Sequence, residues 1–436
     1  MLGFFVVALD AQIVNVALPR IGADLGAGIS GLQWVVTGYT LTFSALILFA
    51  GTLSDRAGAR RAYGAGMVLF AASSALYGLA PSLGVLIAAR LLQGAGAAMV
   101  TPTSLALIRE GFHDAEQRTR AIALWAVGGS VAAAAGPIVG GALTLLHWRL
   151  IFLVNLPVAA LAMAFLAKVE RSTRRETPFD YTGQSTAVIA LGAFSYVVIE
   201  GGNRGWGSPL ILELVALGAL SLIGFLVAQA RGPHPMIPLA LFGSRQVSVA
   251  LAIALTSMAA FYGVVFVQSL YFQQQRGESA LGTGLLFLPM TALVTVFSSR
   301  AAWLVARFRS RALIATGLLV QCAGLVVIAA MPATVPIWLA SAVMVSVGVG
   351  GSLTVPPIAS LVIDNAPAAL AGTTSGVLNT FRQLGGSLGV AVIGAVIAAH
   401  ATFLSGLRVG LVAAALVLWV TAALSFTLQQ QQQTTD

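Results

Sequence analysis

The chain is predicted to be an all-α integral membrane protein of about fourteen transmembrane helices, and three observations carry that reading. Fourteen apolar stretches fill nearly all of its 436 residues, and each has a length suited to crossing a hydrocarbon core of about 30 Å. The composition, 58% hydrophobic and 8% charged, exceeds what one soluble core can enclose. The apolar runs are continuous. Barrel strands would alternate apolar and polar residues, and in lipid a helix is the other form that satisfies every backbone polar group.

The spans are placed at 1–19, 33–51, 62–80, 83–107, 121–145, 150–167, 184–200, 209–229, 246–272, 282–304, 312–331, 335–362, 374–399 and 409–428. The gaps are short, so neighbouring helices are antiparallel. The longest polar stretch, Lys168 to Gly183, follows the sixth span and is expected to join two halves. The organisation expected is a six-helix bundle (1–168), a cytoplasmic linker (169–183), an inserted two-helix hairpin (184–230), a second six-helix bundle (231–428) and a disordered tail (429–436). The tail's run from Gln429 to Gln433 is low-complexity. Two six-helix bundles about a central cavity are a common plan for rocking transporters.

Basic residues set the orientation. One set of gaps holds Arg56, Arg60, Arg61, Arg109, Arg118, Arg120, Lys168, Arg171, Arg174, Arg175, Arg231, Arg245, Arg307, Arg309 and Arg311. The other set holds Arg20, Arg149, Arg204, Arg276 and Arg408. Arg-rich loops stay in the cytoplasm, which places both termini there and the protein in the cytoplasmic membrane. The formal charge of +9 is scattered over these loops without a stripe, so it reads as topology rather than as a nucleic-acid footprint. Met1 lies in the first apolar run, with neither the basic start nor the cleavage site of a signal peptide, and that segment is expected to be retained as a helix. Cys322 is the sole cysteine and forms no intrachain disulfide. There is no phosphate-binding loop. His113, His147, His234 and His400 lie outside the span centres without metal-ligand spacing. No cofactor, metal or enzymatic chemistry is expected.

Against this background the intramembrane polar residues stand out. Asp10 lies near the middle of span 1, where a charge costs about 2.5–3.5 kcal/mol on insertion scales. Burial disfavours the charged form of a carboxylate, which makes Asp10 a candidate proton carrier. The alternative is a carboxylate permanently bonded to a neighbouring helix. Gln12 and Asn15 add polar groups, and Pro19 is expected to end the helix. Arg90 in span 4 is charged at any accessible pH. It could pair with an acid, bind substrate or help a proton leave, or it could be structural glue. Gln93 shares its face at i+3, and Gly94 and Ala98 form a small-residue row that lets another helix approach.

Span 5 carries two such rows, Gly128, Ala132, Gly136, Gly140 and Gly129, Ala133, Pro137, Gly141. Tight, kinked packing here is equally compatible with sliding bundles and with a static face. In the loop after span 2, Gly51 is expected to end the helix and Gly58 to permit a turn. Asp55 could pair with Arg56, Arg60 or a helix end, forming with Arg61 a conformational latch; the alternative is ordinary loop charge. In span 13, Arg382 is a further intramembrane cation near Asn379 and Gln383, and Gly385 and Gly389 form a small pair. Span 9 offers Phe261, Tyr262, Gln268 and Tyr271. Aromatic faces can hold a cationic or planar ligand, although Tyr271 fits an interfacial belt. Glu200 and Glu213 are expected to be solvated.

These segments together resemble the major facilitator superfamily, specifically its fourteen-span drug:proton antiporters, over nearly the whole chain. LDAQIVNVALP (Leu9 to Pro19) is similar to the group's span-1 motif, Gly51 to Arg61 to the superfamily's signature loop, and Arg90 to Ala98 to the span-4 motif. Gly136, Pro137, Gly140 and Gly141 fit the antiporter motif, and Trp148 to Pro157, Phe179 to Gly183 and span 13 also resemble that group. Gln12 stands where threonine is usual and Ala59 where a basic residue is common. The resemblance implies export of lipophilic drugs, dyes or antibiotics in exchange for protons, by a monomer working through alternating access. Asp10 and drug would compete, with Arg90 helping to release the proton. Gln12, Asn15, Gln93, Asn155, Phe261, Tyr262, Gln268, Asn379 and Arg382 would line the cavity. A uniporter or symporter for a small polar nutrient is the alternative within the fold, and a membrane receptor or scaffold the alternative outside it.

Overall fold

The computed structural model describes residues 1–174, 178–366 and 370–428, all helix and connection, without a strand among them. Arg175 and the tail beginning at Gln429 lie outside the described residues. Fourteen long helices follow in order: α1 (Leu2–Leu25), α2 (Ile29–Ala57), α3 (Ala59–Gly78), α4 (Leu83–Gly111), α5 (Ala115–Leu146), α6 (Leu150–Ala167), α7 (Tyr181–Arg204), α8 (Pro209–Arg231), α9 (Arg245–Gln275), α10 (Ala280–Ser299), α11 (Ser310–Ala330), α12 (Ile337–Asp364), α13 (Ala371–Ala398) and α14 (Phe403–Ser425). Apart from α3, every one is long and apolar enough to span a bilayer. Helix α3 carries Arg60, Arg61, Ser73 and Ser74 and is correspondingly less apolar, but it packs between α4 and α6 as a full member of the bundle.

Two glycine and proline expectations are corrected. Pro19 does not end α1. The helix tightens to a 3-10 turn over Asn15–Ala17 and resumes at Leu18, with Pro19 in the first turn of the new segment, where a missing N–H costs nothing. Gly51 does not end α2, which runs six residues further to Ala57. The stop is Gly58, at φ +88, with the Ser172 backbone 3.2 Å from the place a Cβ would occupy. Gly58→Ala is therefore expected to lower stability by about 1–2 kcal/mol, measured as a fall in the thermal unfolding midpoint of the purified chain.

Helices α1–α6 pack on one another, as do α9–α14, while α7 and α8 pair and α7 touches α2 and α13. The two sets meet along two seams, α2 on α13 and α5 on α10. The small rows of α5 explain one seam. Gly128, Gly136 and Gly140 face α1, where a Cβ would meet Met1, Gln12 and the Ile13 carbonyl, the last at 2.6 Å. Gly141 faces α10, with Ala280 O 2.6 Å from a would-be Cβ, and Gly284 of α10 packs against the Pro137 carbonyl. Gly129 departs from its row and lies under the Phe4 ring of α1.

Hydrogen bonds close the end of the bundle that carries the arginine-poor loops. Ser269 Oγ donates to Asn15 O, Gln273 Nε2 to Val16 O at 2.9 Å, and Gln33 Nε2 to Ala391 O at 2.6 Å. At the arginine-rich end a cleft of about 280 Å³ opens among Phe49, Thr52, Phe179, Met236 and Thr373. The α7–α8 pair is tied at its base by Asp180, whose carboxylate accepts from Gly183 N, Gln229 Nε2 and Met236 N. Along α2 it is held by Gln184 Nε2, which donates to Ala45 O at 2.9 Å, and by Trp34 Nε1, which donates to Glu200 at 3.0 Å. Glu200 is thus half-buried and bonded rather than solvated, whereas Glu213 is exposed as expected.

Candidate functional site

Five helices converge on Asp10. Its carboxylate is fully buried, and Arg90 beside it is 1% exposed. Arg90 Nη1 donates to Asp10 Oδ2 at 2.5 Å and to Gln93 Oε1 at 2.8 Å, and Nε donates to Val35 O of α2 at 2.9 Å. The guanidinium lies over the Tyr39 ring, 4.5 Å from its centroid, with Tyr77 at 5.8 Å. Asp10 Oδ1 accepts from Gln93 Nε2 at 2.9 Å and from Asn155 Nδ2 of α6 at 2.8 Å. Ser74 of α3 anchors both amides, its Oγ accepting from Gln93 at 2.7 Å and Asn155 at 3.2 Å. Helix α4 comes this close to α2 because residue 94 is glycine: a Cβ there would collide with Thr42 and the Tyr39 carbonyl. Asn155 opens the second of α6's two helical pieces, after a break at Val154, which turns its amide toward Asp10.

A buried ion pair is held only when its remaining lone pairs are satisfied, and here both carboxylate oxygens are. Protonating Asp10 would release Arg90 from its only acidic partner among the described residues. Ser74→Ala removes the acceptor shared by Gln93 and Asn155; a loss of about 1–3 kcal/mol of stability is expected, measured by chemical unfolding, with no change in helix content.

Asp10, Arg90, Gln93 and Asn155 are thus brought together; the remaining candidates are not. Gln12 packs against Gly136, and Asn15 bonds within its own helix while its carbonyl accepts from Ser269. Gln268 and Tyr271 line a small pocket toward the arginine-poor end with Arg408. Tyr271 is buried and its hydroxyl accepts from Arg276 at 3.0 Å, so it is not a lipid-facing belt residue. Phe261 and Tyr262 form an edge-to-face pair 5.5 Å apart. Arg382 Nη1 donates to Asn379 Oδ1 at 3.2 Å.

At the loop after α2, Asp55 is exposed and holds no ion pair among the described residues. The loop is tied through other atoms: Arg60 N donates to Ser172 Oγ at 3.0 Å, its guanidinium donates to Ala167 O at 3.2 Å, and Arg56 lies over Phe179 at 5.0 Å. Arg61 is exposed, and Gly51 meets nothing within 4 Å of a would-be Cβ. Sequence reasoning missed Ser74, Tyr39 and Tyr77. A signal existed for two of them: Ser74 and Tyr77 lie three apart, on one face of α3.

Two helix sets meeting along paired seams, with a buried ion pair midway through one of them, define a multi-pass membrane transporter of facilitator architecture. Residues 1–390 match the family model described as Major Facilitator Superfamily, and the chain belongs to that superfamily. It is 38% identical over 404 residues to the multidrug resistance protein Stp of Mycobacterium tuberculosis, covering 91% of this chain and 74% of that one. It is 33% identical over 408 residues to the methylenomycin A resistance protein of Bacillus subtilis, covering 93% and 88%, and 35% identical over 399 residues to the cephamycin export protein CmcT of Amycolatopsis lactamdurans, covering 89% and 82%. Among solved structures, the nucleoside transporter NupG aligns with a TM-score of 0.70 at 11% identity, over 98% of both chains. The peptide transporter POT aligns at 0.69 and 17%, over 99% of this chain and 95% of that one. At those identities the likeness concerns the fold alone.

Proposed function

We propose that the protein is a proton-coupled antiporter that exports lipophilic drugs, dyes or antibiotics across the cytoplasmic membrane by alternating access. The observation that carries this reading is Asp10: a carboxylate fully enclosed within the first six helices, matched by one arginine and two amides. An intramembrane acid is functional by default. The relatives named for multidrug resistance and for methylenomycin and cephamycin handling support export as the direction and drug-like molecules as the cargo.

In this mechanism the arginine-rich loops and both termini face the cytoplasm. The state described here is then closed outward, by the Asn15–Ser269 and Gln33–Ala391 contacts. Drug enters with Asp10 ionised. After the bundles rock, a proton from outside neutralises Asp10 and drug leaves. Arg90 draws Asp10 back to its ionised, paired form once the site faces the cytoplasm. A membrane potential supplies about 2.3 kcal/mol per charge per 100 mV, and each pH unit adds about 1.4 kcal/mol.

The moving units in this proposal are residues 1–168 and 231–428, joined by the 169–183 linker and the 184–230 hairpin, within a monomer. The loop from Gly51 to Arg61 acts as their latch, with Asp55 free in this state and paired in the other. No cofactor or metal is assigned. The test is flux: the chain reconstituted in vesicles is expected to move at least one lipophilic compound from a panel of acidic, neutral and cationic dyes and drugs against its gradient when a pH gradient is imposed, and to stop when a protonophore is added. Uptake that ignores the protonophore, or no flux of any compound in a panel, would refute the proposal.

A further inference from the structure

Two arginines among the described residues, Arg90 of α4 and Arg382 of α13, lie well inside membrane-length helices, and their environments differ. Arg90 is fully matched by a carboxylate, an amide, a backbone carbonyl and an aromatic face. Arg382 has one hydrogen bond, at 3.2 Å to the Asn379 amide oxygen, and its Nε is buried with no partner. No carboxylate pairs with it among the described residues. Intramembrane cations ordinarily pair, so one left unmatched marks a place where something else supplies the acceptor.

The packing of α13 shows where that place is. One face of α13 lies on α9: a Cβ at Gly385 or Gly389 would collide with the carbonyls of Leu255 and Ala259. Another face lies on α2, through Gly376 against Leu48 and Gly394 against Gln33. Stepping 100° per residue, Asn379, Arg382 and Gly386 fall on the arc between those two faces, which is turned to the junction of the helix sets. The Tyr262 ring covers Gly386, where a Cβ would come within 2.9 Å. Gly386 lies one helical turn beyond Arg382, so the Tyr262 ring packs on the same arc of α13. Arg382 is half-buried rather than sealed. Arg90 is thus matched by Asp10, whereas Arg382, on the second helix set, has no carboxylate partner among the described residues.

We propose that Arg382, with Asn379 and Tyr262, is the anchor for a carboxylate on the exported compound, so that acidic amphiphiles form the preferred substrate class. A carboxylate accepts from Nε and an Nη of one guanidinium in a bidentate pair, which uses the donor now unpartnered. It also neutralises the unpaired charge of Arg382. The apolar body of the ligand then lies along Phe261 and Tyr262. The inference rests on and deepens the export reading, because it names the class of cargo, but it is tested by binding alone, which needs neither a proton gradient nor flux.

The probes are naphthylacetic acid, its methyl ester and naphthylethylamine, which share one apolar body. The full chain in phosphatidylcholine nanodiscs is titrated with each by calorimetry. The wild type is expected to bind the acid at least about tenfold more tightly than the ester, the scale of one charge-assisted pair. In Arg382→Gln the ratio of acid to ester affinity should fall to near one, and in Arg382→Lys part of the preference should return. Cooperative thermal unfolding of each variant shows that it is folded. Equal affinities in the wild type, preference for the amine, no binding of the acid, or an undiminished ratio in Arg382→Gln would each overturn the proposal. A failed flux assay beside an intact acid preference would instead remove the proton-coupled mechanism and leave this site standing.

Discussion

Asp10→Asn is expected to abolish gradient-driven export while the protein remains in the membrane. Asparagine keeps the shape and one acceptor oxygen but carries no exchangeable charge. Drug affinity in the wild type should rise with pH, because ionised Asp10 is the drug-accepting form in the proposed cycle; in the variant that dependence should flatten. The substitution also leaves Arg90 buried without its carboxylate, and breaking a buried pair on one side costs about 3–5 kcal/mol. Loss of export could therefore reflect a damaged bundle. The double variant Asp10→Asn, Arg90→Gln separates the two effects: removing both charges should recover most of the lost stability, measured by thermal unfolding, yet restore no coupling. An Asp10→Asn protein that still pumps at full rate, with drug affinity still varying with pH, would rule Asp10 out as the proton carrier.

The second large effect is expected at Gly141. A side chain there meets Ala280 O and the Leu281 backbone, which are main-chain atoms that cannot swing aside. Gly141→Leu should wedge α5 from α10 at the arginine-poor end and favour the state open there. Export should fall to background. The population shift is read by labelling: in a Cys322→Ala background, a cysteine placed by Ala17→Cys, at a fully buried position near the same seal, should react at least about tenfold faster with a membrane-impermeant thiol reagent. Unchanged labelling would mean that this seam does not gate the outer end.

Much of the site was legible because intramembrane charge is rare enough to be informative by itself. Asp10 and Arg90 could be singled out one at a time, and the i+3 spacing placed Gln93 on Arg90's face. What could not be read was their pairing, since Asp10 and Arg90 are eighty positions apart and nothing local encodes which helices meet. Ser74 illustrates a different limit. Its neighbour Ser73 spends its hydroxyl on its own helix, donating to Leu69 O and Phe70 O, and a serine in an apolar run reads the same either way. The fold class followed directly from hydropathy, but helix ends did not. Gly51 and Pro19 are residues whose meaning depends on position: glycine is tolerated inside a packed helix, and proline suits a first turn as well as a stop. Glu200 reads as a surface acid until its partner Trp34, far away in sequence, is known.

The carboxylate of Asp180 gathers three separate stretches of the chain. It receives the start of α7 through Gly183, the end of α8 through Gln229, and the departing strand of chain at Met236, while Gln229 in turn accepts from Ile237 N at 2.7 Å. Entry and exit of the helical pair thus meet at one point, so a chain cut on either side of the pair would leave two ends already adjacent.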